Sequence, residues 1–236
     1  MNFEFSEEQK ILKTTIRNFA EREIRPIISK MENENYFPYE IIKKLGQLGM
    51  LGGYANNIDT ISSAIIIEEI SRISPAIGVI ISVHNTLVCN GIFEFGTEEQ
   101  KRRYLPDLIS GNAIGAYALT ESQAGSNPLE MNTSYKKVND KYIINGRKIW
   151  ITNGPQARYI LLYAVENKNN PKNSMTCFII DTKREGFQIG IIHNKLGLKG
   201  SYSCEIILDN YTAYKDEILG NEHEGYKIAM KLLTGG

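Results

Sequence analysis

The chain has 236 residues, 42% of them hydrophobic and 23% charged, the make-up of a packed protein rather than a disordered one. Basic and acidic residues balance at 27 each, so no overall positive excess draws nucleic acid or an anionic membrane, and neither is expected as a partner. Three separated cysteines, Cys89, Cys177 and Cys204, form no CxxC pair, which excludes a zinc ribbon or disulfide framework and leads us to expect a reducing, cytoplasmic setting.

Residues 1–112 read as helices. The opening MNFEFSEEQK is acidic where a signal peptide would be basic, and Ser6 with Gln9 makes a capping box. Ile11, Ile16, Phe19 and Ile24 follow at near-helical spacing until Pro26 kinks or ends the element. After the loop 33–37, Pro38 opens a helix with the stripe Ile41, Ile42, Leu45 and Leu48, stopped at Gly49. A third helix is expected over 62–71 and a fourth over 75–93. The uncharged run 73–93 is 21 residues long, enough to span a membrane, but His84 and Asn85 sit at its middle and only 12 residues are apolar. A buried helix and no membrane span are therefore expected. Thr97 with Gln100 caps a fifth helix, ending near Leu105 and Pro106.

Past Gly111 the texture turns to antiparallel β. Residues 135–138 and 142–144 flank a turn at Asn139-Asp140, and Asn145-Gly146 reads as a second turn into 148–152. Further β runs are 159–165, 176–180, 187–192 and 203–208. No helix-length pattern lies between them, which argues against βαβ units. Beyond Leu219 a helical pattern returns with Tyr226, Ile228, Ala229, Leu232 and Leu233, which either packs on the β layer or begins a third region. The expected architecture is α+β and multidomain: an α-helical domain 1–112, a barrel-like antiparallel β-domain 113–220, and the start of another helical domain at 221–236.

Chemical motifs are sparse. There is no GxGxxG, GK dipeptide, HExxH or GxSxG, and His84, His193 and His223 lack metal-ligand spacing, so no metal is expected. His84 reads as a hydrogen-bonded core residue and His223 as a solvated one. Two segments stand out. In 116–127, AYALTESQAGSN, a strand enters a small-residue, hydroxyl-rich loop; this is either an ordinary strand exit or a place where a phosphate or ring approaches the backbone. In 148–154, KIWITNG, period-two geometry puts Trp150 and Thr152 on one face; the indole is either a core side chain or a flank beside a hydroxyl.

Taken together, these segments resemble the acyl-CoA dehydrogenase family. FSEEQKILKTTIRNFAEREIRP is similar to its first helix and VHNTLVCNGIFEFGTEEQKRRYLPDLISG to its later N-terminal helices. YALTESQAGSN and KIWITNG resemble its flavin-binding segments, KLGLKGSYSCEIILDN the strands behind them, and GNEHEGYKIAMKLLTGG the entry to its C-terminal domain. The resemblance implies FAD held between a central β-domain, a C-terminal four-helix domain and a neighbouring subunit. It also implies α,β-dehydrogenation of an acyl-CoA, reoxidation by an electron-transfer flavoprotein, and a homo-oligomer, dimer or tetramer. Carried over residue by residue, Tyr117, Leu119 and Thr120 would line the flavin, Gly125 and Ser126 would lie near the pyrophosphate, and Ser126 would also touch the acyl-CoA. Trp150 would shield the ring, with Ile151 and Thr152 alongside.

There are departures. Ser122-Gln123 replace the family's proline-glycine, and Asn127 replaces an aspartate while keeping a loop-capping oxygen. Residues 51–60 look shortened. The family's base, a glutamate, belongs to a C-terminal region expected to be missing here; its alternative position falls near Gly236. No catalytic residue is therefore assigned. A second reading of the chain is a non-catalytic module that binds flavin, acyl-CoA or a partner subunit.

Overall fold

A computed structural model describes residues 4–34 and 36–235, so the readings above that touch Met1 to Phe3, Asn35 and Gly236 lie outside the described residues. Helix α1 (Glu7–Phe19) starts with the expected capping box: Gln9 N–H donates to Ser6 Oγ and Ser6 N–H to Gln9 Oε1. Its inward face is Leu12, Ile16 and Phe19. Ile11 is 66% exposed, because five residues carry it roughly 140° round the axis from Ile16. Pro26 kinks the chain without ending the helical run. A π-helical turn (Ala20–Ile24) and a 3₁₀ turn (Arg25–Ile27) accommodate the missing N–H before α2 (Ile28–Asn33) resumes. Helix α3 (Tyr39–Gln47) buries Ile41, Ile42 and Leu45, and Gly49 follows with φ +73°.

Helix α4 (Thr60–Ser71) is capped by Asp59, whose carboxylate accepts from Ser62 N–H at 2.8 Å. Next come α5 (Pro75–Ser82), a π-helical stretch (Val83–Cys89) and α6 (Asn90–Phe95), one helix by continuity. It is long and apolar enough to cross a membrane, yet 61% of its most apolar window is buried inside the fold. Helix α7 (Glu98–Ile109) has the second capping box, but it runs past Pro106. The proline falls in the last turn, where it removes one i→i−4 bond, and the helix ends three residues later.

The β part is one eight-stranded sheet: β1 (Gly115–Ala118), β2 (Ser134–Val138), β3 (Lys141–Thr152), β4 (Tyr159–Val165), β5 (Met175–Asp181), β6 (Phe187–Ile192), β7 (Ser203–Tyr214) and β8 (Ile218–Leu219). The order is β6-β7-β3-β2-β4-β5-β8, with β1 pairing β4. Most pairings are antiparallel, as expected. β1 is not: it runs parallel to β4 and shares one edge of that strand with Ser134 of β2. Nor does the barrel close, since β6 and β8 stand at opposite ends of the order. Asn139, with φ 55°, turns the β2–β3 hairpin. Asn145-Gly146 does not turn. Strand β3 continues through it with a register shift, and a Cβ on Gly146 would lie 2.4 Å from Thr133 Oγ1, so only glycine lets the chains approach.

One core cluster lies within the helices and one within the sheet; a third joins them, bringing Val88, Ile92 and Leu108 against Leu161, Tyr163 and Ile179. Helix α8 (Gly225–Gly235) adds Ile228, Ala229 and Leu232 to that third cluster, so it packs on β5 and on the long helix together. All three cysteines are buried and free.

The π-helical stretch has a visible cause. It turns two adjacent polar residues inward, and both are satisfied. Gly115 N–H donates to His84 Nδ1 at 3.1 Å, which leaves Nε2 to donate to the Leu108 carbonyl at 3.1 Å. Burial pushes the imidazole down to about 4, so it is neutral near pH 7. Asn85 accepts from Gly52 N–H at 2.9 Å and donates to the Met50 carbonyl at 3.1 Å, holding the 50–57 loop. The core reading of His84 thus stands. His223 is instead paired, with Nε2 2.9 Å from Glu166 Oε2.

Candidate functional site

Strand β1 is narrow because Ala116 and Ala118 are fully buried against β4. The chain then leaves the sheet at Leu119 and folds tightly: Glu121 N–H donates to the Ala124 carbonyl and Ala124 N–H to that of Glu121, at 3.0 and 3.1 Å. This loop lies against the end of β3, where Ile149 N–H donates to the Thr120 carbonyl at 3.0 Å. The two segments singled out in the sequence are therefore neighbours in space.

At that end β3 is irregular. Its pairing with β7 slips between Lys148 and Ile151, and Trp150 sits at φ +57°, a conformation that is strained for a bulky residue. The indole is 55% exposed and stacks on His193, ring centroids 3.9 Å apart and planes at 26°. The core-tryptophan alternative is thereby excluded. The bulge breaks strict period-two alternation, yet Trp150 and half-buried Thr152 still flank buried Ile151. Just beyond, Asn153 fixes the strand: its amide donates to the carbonyls of Ile80 and Gly115 at 3.1 and 3.2 Å. A Cβ on Gly154 would meet Cys204 Sγ at 2.4 Å.

The remaining candidates fall into two groups. Gly125 and Ser126 are exposed, nothing lies within 4 Å of a Cβ on Gly125, and among the described residues neither amide donates to a protein acceptor. Tyr117 and Thr120 are half-buried, with the Tyr117 ring 5.1 Å from that of Tyr163 and its phenol pushed up by burial. Leu119 and Ile151 differ, since their side chains are packed in the core and only their backbone can face a ligand. Asn127 caps as expected, accepting from Leu129 N–H at 3.2 Å, and its amide donates to Glu130 at 2.9 Å.

Two residues were not foreseen. Lys148, fully buried, places Nζ 2.9 Å from Glu121 Oε1 and 3.0 Å from the Leu119 carbonyl. Burial lowers its ammonium to about 8 against the pull of Glu121. Burial also works against ionising Glu121, but Lys148 and the donors from Thr133 and Asn132 outweigh it and hold the carboxyl below its usual range. His193 is the other; it stacks on the indole and joins Lys195, Lys199 and Tyr202 around a cleft of about 350 Å³. A signal for Lys148 exists in the sequence, since it continues the inward period-two positions of Tyr142 and Ile144. None exists for His193, which reaches Trp150 only through the β6–β7 pairing.

Chemically, this is an open aromatic face beside hydroxyls and uncommitted backbone donors. Such a donor set fits a flavin with a phosphate tail. Among the described residues no group of three His, Cys, Asp or Glu side chains is placed to hold a metal.

The family model described as "Acyl-CoA dehydrogenase, N-terminal domain" matches residues 6–112, and the one described as "Acyl-CoA dehydrogenase, middle domain" matches residues 116–211. An acyl-CoA dehydrogenase of Bacillus subtilis is 40% identical over 98% of this chain, which covers 62% of that protein. A short-chain specific acyl-CoA dehydrogenase of Clostridium acetobutylicum is 38% identical over 100% of the chain, covering 64% of its own length. The structure of butyryl-CoA dehydrogenase from Megasphaera elsdenii superposes with a TM-score of 0.95 at 29% identity, over 100% of this chain and 64% of that one. The chain thus spans under two thirds of the length of the proteins it matches.

Proposed function

This chain belongs to the acyl-CoA dehydrogenase family, and from that premise we propose that it serves the FAD-dependent α,β-dehydrogenation of an acyl-CoA thioester to the 2-enoyl-CoA. The observation that carries the proposal is the junction of residues 117–126 with 148–152, which sets an exposed indole beside two threonines and a loop of uncommitted amides. Tyr117, Thr120, Trp150 and Thr152, with the backbone of Leu119 and Ile151, would hold the flavin; Gly125 and Ser126 would face its phosphates, and Ser126 the acyl-CoA. When bound, FAD would take the β-hydride of the thioester. Fixed hydroxyl and amide donors stabilise negative charge that develops beside them without having to reorient, the role proposed for Thr120 and Thr152. Trp150 would exclude water from one side.

The α-proton needs a base within about 2.6–3.2 Å. Glu121 is unsuited, because its ionised carboxylate is shared among Lys148, Thr133, Asn132 and Gln123. The base is therefore proposed to lie outside residues 1–236. An electron-transfer flavoprotein as reoxidant and a homo-oligomeric assembly belong to the same proposal. The test is turnover: residues 1–236 with FAD and a saturated acyl-CoA should give no enoyl product above a buffer control. A chain extended to its relatives' length should give it. Product from residues 1–236 alone would return Glu121 to consideration, and none from the extended chain would favour the non-catalytic module.

A further inference from the structure

We infer that Lys148 and Glu121 form a positioning pair: by locking the 119–124 loop to the last residue of β3 before its second register shift, they set the bulge that turns Trp150 outward. The inference rests on the flavin reading only for its functional consequence; the geometry stands apart from it.

The pair is enclosed, the two side chains being 0% and 3% exposed. Both charged groups are hydrogen-bonded. The ammonium contacts the Leu119 carbonyl and Glu121 Oε1. The carboxylate also accepts from Thr133 N–H at 3.0 Å, Asn132 N–H at 2.7 Å and the Gln123 amide at 2.7 Å. Three stretches of chain, 119–124, 132–133 and 148, thus meet at one ion pair. Burying two charges is a poor way to gain stability, because desolvation consumes most of the attraction and apolar side chains of like volume do as well. Fixing geometry is a better use.

The geometry being fixed is specific. Lys148 still pairs with Ile206, whereas Ile151 pairs with Cys204, so the extra residue of the bulge lies between them. Asn153 anchors the far side of the bulge. Residues 149–150 therefore hang between two buried polar anchors; within the bulge itself, Ile149 N–H donates to the Thr120 carbonyl of the loop that the pair holds, and the strained Trp150 stacks on His193. Releasing Lys148 lets β3 relax toward regular pairing and takes the indole off His193.

Trp150 is the only tryptophan, so its emission reports the bulge directly, with no flavin present. Lys148→Met and Glu121→Gln should each shift that emission to the red and steepen acrylamide quenching, with far-UV circular dichroism unchanged. FAD affinity should fall about tenfold, the equivalent of a coupling of about 1.4 kcal/mol. Ile144→Ala, a cavity in the same strand remote from the pair, should lower the melting temperature but leave Trp150 emission and FAD affinity as they are. Unchanged emission in both folded variants would overturn the inference. So would failure of both to fold while Ile144→Ala folds, which would make the pair a folding element. A parent chain extended to its relatives' length that binds no FAD, with variants that still shift Trp150, would sink the flavin reading and leave the positioning pair standing.

Discussion

Two places in this molecule turn polar or aromatic side chains in unusual directions, and they do so to opposite ends. In the π-helical stretch, His84 and Asn85 face inward and every polar atom there meets a backbone partner. At the end of β3, Trp150 faces outward on a strained bulge, beside exposed amides that meet none. The first arrangement is closed, and closed polar networks hold a fold together. The second is held open by its neighbours, and strain retained next to open donors is what a ligand site needs. Irregularity alone therefore does not mark function; the state of the surrounding hydrogen bonds separates the two cases.

The contrast breaks most visibly at His84. His84→Leu strands the Gly115 N–H in the helix–sheet core and leaves the Leu108 carbonyl with its bond from Gly111 N–H, and should cost about 2 kcal/mol, or roughly 4–8 °C in melting temperature. Trp150 emission should not change. The same residue has a pH signature. Its folded value, about 4, lies below the ordinary 6.5, so the unfolded chain binds the extra proton first. Stability from this group is whole above pH 6.5 and is lost as pH falls toward 4, by up to about 3 kcal/mol, a slope that His84→Leu should flatten in denaturant titrations at pH 7, 5.5 and 4. Equal slopes in the two proteins would show that His84 is not the group responsible.

A smaller effect is expected on the open side. Thr152→Val nearly keeps shape and removes one donor, so in a chain extended to its relatives' length it should slow flavin reduction by about tenfold while weakening acyl-CoA binding less. Equal losses in both would make Thr152 a packing residue. Smallest of all is the stability change at the bulge. Trp150→Gly loses the His193 stack but relieves the left-handed strain, and the two should cancel to within about 1 kcal/mol in chemical denaturation. A large destabilisation would mean that the indole is structural after all, and the contrast between the two regions would fail.

How legible was this in the sequence? Both capping boxes, the Asn139 turn and the β4 and β5 runs are local signals and appear where expected. The misses share a cause, since each depends on partners remote in sequence. At Pro26 the sequence leaves a kink or an end open and at Pro106 it points to an end, but the helical run continues through both. Asn145-Gly146 has turn chemistry, yet pairing with β7 and the close approach of Thr133 keep it in the strand. At the site, the motif residues were found by resemblance, whereas Lys148, Glu121 as its partner, and His193 needed the fold to bring 121, 148 and 193 together.

The central claim is that residues 117–126 and 148–152 make one flavin site. Its most direct measurement is a titration of FAD into a chain extended to its relatives' length, followed by the emission of Trp150. The account expects saturable quenching that ends at one FAD per chain. FAD that binds with no change in Trp150 emission, or no binding at all, would contradict it.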